Sequence, residues 1–239
     1  MENRKVVLVT GSARGLGSYI IRSFAKNNYN VIINYNNSVA KANALKEEII
    51  KNYNVDVLLI KADISKECDI KRMYEESISK FGKVDILVNN AAICCDNYID
   101  NKTKEEFMKV LEVNVVGQFL VTKYFSKSVD LIINISSTDS VDTYNELNID
   151  YSASKAALNS ITKTFALAIP SIKIFAILLP FINTDSVKEM NQEFLKNELK
   201  RTNQNRLYEP LEISDKIVKL SSSDIKSGDI IRWGDIYDK

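Results

Sequence analysis

Residues 5–17 read KVVLVTGSARGLG, and the order of residue types in this stretch decides the fold. The apolar run at 5–10, rich in β-branched valines, has the length and character of a strand buried on both faces. It stops at Thr10-Gly11-Ser12, and from Gly15 to Lys26 the pattern turns helical. A strand that passes through a glycine turn into a helix leaves the first N–H groups of that helix unpaired. Those donors and the positive end of the helix dipole attract an anion, and glycine lets the backbone come close to it. The chain has seven glycines, and three of them stand in this turn. The turn therefore reads as a phosphate cradle rather than an ordinary bend.

The same alternation runs outward from it. Apolar strand-like runs recur at 30–35, 55–60, 84–88, 131–135, 172–179 and 229–232. Between them lie helical patterns at 38–53, with Ser38 as N-cap, at 65–80, capped by Ser65 and stopped by Phe81-Gly82, at 103–127, capped by Thr103, and at 151–169, ended by Pro170. Continuous apolar strands alternating with helices predict a parallel sheet covered on both faces. The expected architecture is α/β: a single Rossmann-like, doubly wound domain over residues 1–239, with about seven parallel strands and helices on both faces. The polar, helically patterned segment 185–206 falls outside this rhythm and is expected to be a substrate lid.

Composition removes whole classes of function. With 45% hydrophobic and 26% charged residues and a net charge of +1, nothing favours nucleic acid or an anionic membrane. No run approaches the roughly 20 apolar residues of a membrane span, and the opening MENRKVVLVTGS does not read as a secretory leader. The three cysteines, Cys68, Cys94 and Cys95, do not make a disulfide framework, so a cytoplasmic location is expected. For the adjacent Cys94 and Cys95, further metal ligands are missing nearby, and two surface or half-buried thiols are expected. There is no histidine. Ser-His-Asp hydrolysis and His-ligated zinc chemistry fall away together, and a catalytic acid must be Tyr, Lys, Cys or a carboxylate.

A cradle after the first strand suits a dinucleotide. Proteins that choose NAD place an acid about 20 residues further on, against the ribose 2′-OH. Here the second strand ends Asn34-Tyr35-Asn36-Asn37-Ser38, without one. Arg14, inside the turn, is placed to pair with a 2′-phosphate, unless it is simply a solvated arginine. The expected cofactor is NADP(H), with NAD(H) the alternative. Further along, Tyr151-Ser152-Ala153-Ser154-Lys155 sets a phenol and an ammonium one helical turn apart. A free phenol titrates near 10, and a neighbouring cation is expected to lower that value, giving a histidine-free general acid. The spacing recurs at Tyr98…Lys102, in a polar, loop-like stretch to which no role is assigned. The strand before Tyr151 ends Asn134-Ile135-Ser136-Ser137, so a serine hydroxyl is placed to bond the same carbonyl oxygen.

With these elements in order, nearly the whole chain resembles the short-chain dehydrogenase/reductase family, and within it the 3-oxoacyl-acyl-carrier-protein reductase-like members. The resemblance rests on TGSARGLG at 10–17, Asp63 after the third strand, Asn89-Asn90-Ala91-Ala92 after the fourth, Asn114 in EVNVVG, the ISS serines and the Tyr151/Lys155 pair. It implies a cofactor held by Thr10, Gly11, Ser12, Arg14, Gly15, Leu16, Gly17, Asn34, Asp63, Ile64, Asn89, Ala91, Tyr151, Lys155, Pro180, Ile182 and Thr184. Asp63 meets the adenine. Tyr151 donates the proton, Lys155 lowers its pKa and bonds the nicotinamide ribose, Ser137 polarises the carbonyl, with Ser136 as the alternative, and Asn114 holds a water that links Lys155 to solvent. It further implies a small carbonyl or alcohol substrate or an acyl thioester, and a homo-oligomer, dimer or tetramer.

The departures are specific. Ala92 stands where the family has glycine. The sixth strand normally ends Pro-Gly. An ungapped alignment of IKIFAILLPFINT puts Leu179 and Pro180 there, whereas a single deletion keeps Pro180 as the proline; both lose the glycine. The stretch between Asn114 and Ser137, which usually carries a subunit interface, is short, and Gly234 stands alone where a double glycine is usual. The leading expectation is an NADPH-dependent reductase that turns a carbonyl, such as a 3-oxoacyl thioester, into an alcohol. The alternative is a catalytically weakened NADP(H)-binding regulator, motivated by Pro180. A nucleotide-sugar epimerase shares the Tyr-Lys chemistry, but such chains carry an additional substrate domain.

Overall fold

A computed structural model describes residues 4–237, without the side chains of Ser186, Ile236 and Tyr237. In chain order the elements are β1 (Val6–Val9), α1 (Gly15–Lys26), β2 (Asn30–Tyr35), α2 (Val39–Asn52), β3 (Val57–Lys61), α3 (Glu67–Phe81), β4 (Ile86–Asn89), α4 (Lys104–Leu111), a π-helical turn (Glu112–Gly117), α5 (Gln118–Phe125), β5 (Leu131–Ser137), α6 (Ile149–Ala168), β6 (Lys173–Leu179), α7 (Asp185–Lys188), α8 (Gln192–Arg201), α9 (Pro210–Ser221), β7 (Ile230–Arg232) and α10 (Trp233–Tyr237). The strands form one seven-stranded sheet in the order β3-β2-β1-β4-β5-β6-β7. Every pairing is parallel. The order reverses between β1 and β4, so the crevice beyond their C-terminal ends is where such sheets hold ligands.

The apolar strand runs feed two cores, because successive side chains point to opposite faces. Val7 and Val9 enter the cluster that joins α1, α2 and α9 through Ile20, Phe24, Ile49 and Ile213. Val6 and Leu8 enter the cluster that joins α3 and α5 through Ile70, Met73, Val121 and Phe125. Each such fully buried side chain contributes about 1.5–3 kcal/mol relative to exposure. No helix among the described residues is long and apolar enough to cross a membrane.

Several expected boundaries shift for identifiable reasons. Thr103 caps α4 in a capping box with Glu106, as the sequence implies. The expected long helix at 103–127, however, widens into a π turn before α5. Ser65 does not cap α3. Its hydroxyl donates instead to Asp63 Oδ1 at 2.7 Å, and the helix starts from Lys66. Ser38 precedes α2 but makes no capping bond. Gly82 closes α3 with φ of 74°. The segment 185–206 forms α7 and α8, and α9, which packs on α1, went unread in the sequence.

A chain of polar side chains crosses the interior where β4 and β5 end. Asn89 Nδ2 donates to Thr122 Oγ1 (2.9 Å) and to Asn134 Oδ1 (2.8 Å). Asn134 Nδ2 donates to Thr162 Oγ1 (2.7 Å), which donates to Leu158 O (2.8 Å). All four side chains are buried, so they tie β4, β5, α5 and α6 with few alternatives to one another. Asn134→Ala strands both Asn89 and Thr162, and the expected loss is about 3 kcal/mol of unfolding free energy in a urea titration. A loss under about 1 kcal/mol would show that the chain is not a linked unit.

Candidate active site

The glycine turn is held from three sides. Thr10 Oγ1 accepts from the backbone N–H of Asn90 and of Ala91, both at 3.0 Å, and Asn90 Nδ2 donates to Thr10 O at 2.9 Å. Gly11 donates its N–H to Asn34 Oδ1 at 3.0 Å, while Asn34 Nδ2 reaches Ala62 O at 3.1 Å. Ser12 hydrogen-bonds Val9 O through its hydroxyl (2.7 Å) and Asn34 O through its N–H (2.8 Å). Asn34 and Ser12 are thus engaged as braces of the turn. A Cβ on Gly17 would lie 2.6 Å from Asn90 Nδ2, so the turn closes tightly around its own backbone there. At Gly15, with φ of 55°, a Cβ would meet nothing within 4 Å. That face opens into free space, beside Leu16 and the start of α1, whose first turn carries no acid and no side-chain cap. These features fit a pyrophosphate.

Asp63 accepts from the N–H and hydroxyl of Ser65, and Ile64 lies against the π turn, where a Cβ on Gly117 would fall 2.6 Å from Ile64 O. Asn89 is held in the polar chain by Thr122 and Asn134. A groove of about 320 Å³ between α1, α2 and the start of α7 brings Arg14 and Gly15 together with Lys41, Thr184 and Lys188. Arg14 is exposed and makes no ion pair among the described residues. The groove does not include Tyr151, Lys155, Ser137 or Asn114. After β6, Pro180 leads into a segment braced by Gln204, which accepts from Phe181 N and donates to Phe181 O, and by a bridge between Ile182 and Tyr208. Thr184 starts α7 without a side-chain capping bond. Ala92 keeps a negative φ, so its methyl is accommodated without strain.

The remaining residues converge at the end of β5. Asn114, in the π turn, accepts from Ile93 N (2.9 Å) and donates to Ile93 O (2.8 Å) and Ser154 Oγ (3.1 Å). This fastens the segment after β4 to α6. π turns accumulate where a side chain must be re-aimed at a site. Ser137 ends β5 and accepts from Asp139 N at 3.1 Å, and its hydroxyl lies close enough to the Tyr151 phenol to favour the phenolate. Ser136 turns instead toward Lys155 O. Lys155 is buried, donates to Ile135 O at 2.7 Å, and places Nζ 5.4 Å from the centre of the Tyr151 ring.

The electrostatics differ from the sequence expectation. Burial pushes the Lys155 ammonium down to about 8. Burial, then the charges at Asp139 and Cys94, push the Tyr151 phenol up, and the nearby Ser137 hydroxyl offsets only part of this. Desolvation dominates for both groups, so the amine does not leave the phenol acidic. Cys94 is exposed and Cys95 half-buried, as the sequence suggested; partial desolvation, then the charge of Asp96 beside it, raises the Cys94 thiol to about 11, which makes it a poor nucleophile.

Two elements escaped the sequence reading. Lys102, given no role there, is buried and pairs with the fully buried Asp150 at 3.0 Å, and it also bonds Cys95 O. Asp150 Oδ1 in turn accepts from Tyr151 N at 2.9 Å. The pair clamps the loop after β4 onto the start of α6, across 48 residues of sequence. Asp139, two residues beyond Ser137, lies in the 3-10 turn Thr138–Ser140, and its charge raises the Tyr151 phenol.

A doubly wound parallel sheet, a glycine turn at its switch point, and a tyrosine-lysine-serine group beyond β5 define a nucleotide-dependent oxidoreductase. The short chain dehydrogenase family matches residues 5–194, and the chain belongs to it: it is an NAD(P)-dependent oxidoreductase acting on alcohol and carbonyl groups. It is 33% identical over 229 residues, 93% of each chain, to the 3-oxoacyl-acyl-carrier-protein reductase FabG of Staphylococcus epidermidis. It is 32% identical over 197 residues, 80% of this chain and 74% of the other, to versicolorin reductase 1 of Dothistroma septosporum. A short-chain dehydrogenase/reductase of Serratia marcescens superposes with a TM-score of 0.88 at 26% identity, covering 95% of both chains.

Lys155 gives a pH test. Its folded pKa lies near 8, below the ordinary 10.5, so between these values the unfolded chain binds more protons and stability rises with pH. The difference in urea midpoint between wild type and Lys155→Met should shift in favour of wild type from pH 8 to pH 10. A pH-independent difference would show that the amine is not desolvated.

Proposed function

We propose that the chain is an NADPH-dependent reductase that converts a carbonyl to an alcohol, with Tyr151 as proton donor. The observation that carries this reading is the Lys155 amine 5.4 Å from the centre of the Tyr151 ring, beyond the end of β5 where Ser137 stands. A carbonyl oxygen that accepted from the hydroxyls of both Ser137 and Tyr151 would be polarised by one and protonated by the other. A phenol pushed up by burial is fully protonated at neutral pH, the state a donor needs before the reaction. As negative charge grows on the substrate oxygen, the proton passes to it from the phenol, and the ammonium opposite stabilises the phenolate left behind. Asn114 holds the Ile93 segment against α6 and, by the family resemblance, a water that returns a proton to Lys155. Bound NADPH would supply the hydride to the carbonyl carbon.

The residues that would hold the cofactor are those of the glycine turn, with Asp63 and Ile64 toward the adenine and Ile182 and Thr184 toward the nicotinamide. The preference for NADPH rests on Arg14, which is exposed, lacks an ion-pair partner among the described residues and has no carboxylate at the end of β2 to compete with a phosphate. The 3-oxoacyl thioester that the staphylococcal relative's name implies is one carbonyl to assay.

Tyr151→Phe should lower kcat by about 10²-fold or more on every carbonyl the wild type reduces, with NADPH binding retained. Unchanged kcat would remove Tyr151 as the donor. Arg14→Ala should weaken NADPH binding by about tenfold or more while leaving NADH within about threefold, measured by fluorescence titration. Equal losses for both would reject the 2′-phosphate contact.

A further inference from the structure

Tyr151 stands in the first turn of α6, where backbone N–H groups have no partner within the helix. Asn148 occupies the cap position without making a side-chain capping bond. Among the described residues, the only side-chain acceptor supplied to this turn is Asp150 Oδ1, which takes the Tyr151 N–H at 2.9 Å. The other oxygen of Asp150 accepts from Lys102 Nζ at 3.0 Å, and Lys102 also donates to Cys95 O. Asp150 is fully buried, and the Lys102 side chain is 5% exposed. The carbonyl side of the tyrosine is held as well. Ser154 Oγ donates to Tyr151 O at 2.6 Å and accepts from Asn114 Nδ2 at 3.1 Å. Asn114 in turn is bonded twice to Ile93. Both holds therefore end on one strap, the segment 93–102 that follows β4. A third fastening joins that strap to the approach to α6, where Asn97 N–H donates to Leu147 O at 3.1 Å.

A serine, threonine or asparagine at the cap would satisfy a first-turn donor without burying a charge. A buried ion pair is a costlier device, because both charges leave water, and it holds only where geometry and hydrogen bonds are good. What it adds here is direction. The two oxygens of one carboxylate are fixed by two partners, one on the strap and one on the tyrosine's own backbone. The pair thus acts on where the phenol stands and not on the proton itself. A proton donor must lie within hydrogen-bond reach of the atom it serves, and a displacement of about 1 Å can lower a rate by about 10²-fold.

We propose that Lys102 and Asp150 are positioning residues for the proton donor: the pair ties the strap 93–102 to the first turn of α6 and so sets the place of the Tyr151 phenol during proton transfer. The proposal rests on the reductase reading above, in which Tyr151 is the donor. It adds no group that touches the substrate, and it gives a task to the lysine whose spacing from Tyr98 carried none.

The test uses the full chain with NADPH and three probe carbonyls: acetoacetyl-coenzyme A, diacetyl and benzaldehyde. Lys102→Met, which keeps an unbranched side chain and removes the amine, should lower kcat by about tenfold or more on each carbonyl that the wild type reduces, with KM and NADPH affinity within about threefold. Lys102→Met/Asp150→Asn removes both charges and leaves an amide oxygen for the Tyr151 N–H. Its urea midpoint should return toward that of the wild type, while kcat stays low because the strap is still untied. In a Tyr151→Phe background, Lys102→Met should change kcat by less than about threefold, since a residue that acts through the phenol has nothing left to place. If Lys102→Met does not fold, the double variant decides. Wild-type kcat in the double variant, or equal losses from Lys102→Met with and without the phenol, would overturn the positioning role while the reductase reading stands. Undiminished kcat in Tyr151→Phe, or no reduction of any probe by the wild type, would overturn both.

Discussion

A parallel sheet must end somewhere, and where its strands stop they leave backbone groups that apolar side chains cannot satisfy. Here the strands end on a row of polar residues. Val9 pairs with Ile33 and with Val88, so the next residues along, Thr10, Asn34 and Asn89, stand side by side, and Asn89 pairs with Asn134. Below this row the strands are Val, Ile and Leu. Along it, each side chain bonds a neighbour or the loop above. Thr10 and Asn34 fix the glycine turn, and Asn89 and Asn134 fix α5 and α6. The site is built on that level. A group displaced there would carry the turn, the π turn and the tyrosine helix with it, because they share the same anchors.

Tyr151 and Lys155 show what burial costs and what it provides. An amine placed among apolar residues with only a carbonyl oxygen for company gives up part of its basicity. A phenol beside it is held protonated. Neither change alone makes an efficient acid at neutral pH. The balance between them depends on charge that develops on a bound substrate, and an ordered dipole or ammonium acts most strongly in such a water-poor place. The desolvation of both groups therefore leaves the phenol holding its proton.

Most of the fold was legible because it is written in local terms. Valine and isoleucine runs of strand length, separated by helical patterns, require only neighbours in sequence, and the glycine turn announces itself by position. What stayed hidden depends on distance along the chain. Lys102 looked like an exposed lysine in a polar loop, and only the return of α6 supplies Asp150 as its partner. The widening of the helix at Glu112–Gly117 has no composition of its own. Ser65 looked like a cap, yet its hydroxyl and its N–H both turn to Asp63, two residues earlier, and the helix starts one residue later. The short polar residues compete with helix starts for the same bonds, and spacing alone does not say which bond wins.

Asp139 and Asp150 show why two carboxylates in one neighbourhood take different roles. Asp150 is fully buried, bonded by Tyr151 N and neutralised by Lys102. Its geometry is closed, and its removal would expose a lysine charge to the interior rather than alter what enters the cleft. Asp139 is half-buried, with one oxygen engaged by Thr143 and the nearest arginine bound elsewhere. A carboxylate whose needs are met inside the protein shapes the scaffold. One whose needs are met only in part, as at Asp139, keeps a face for water.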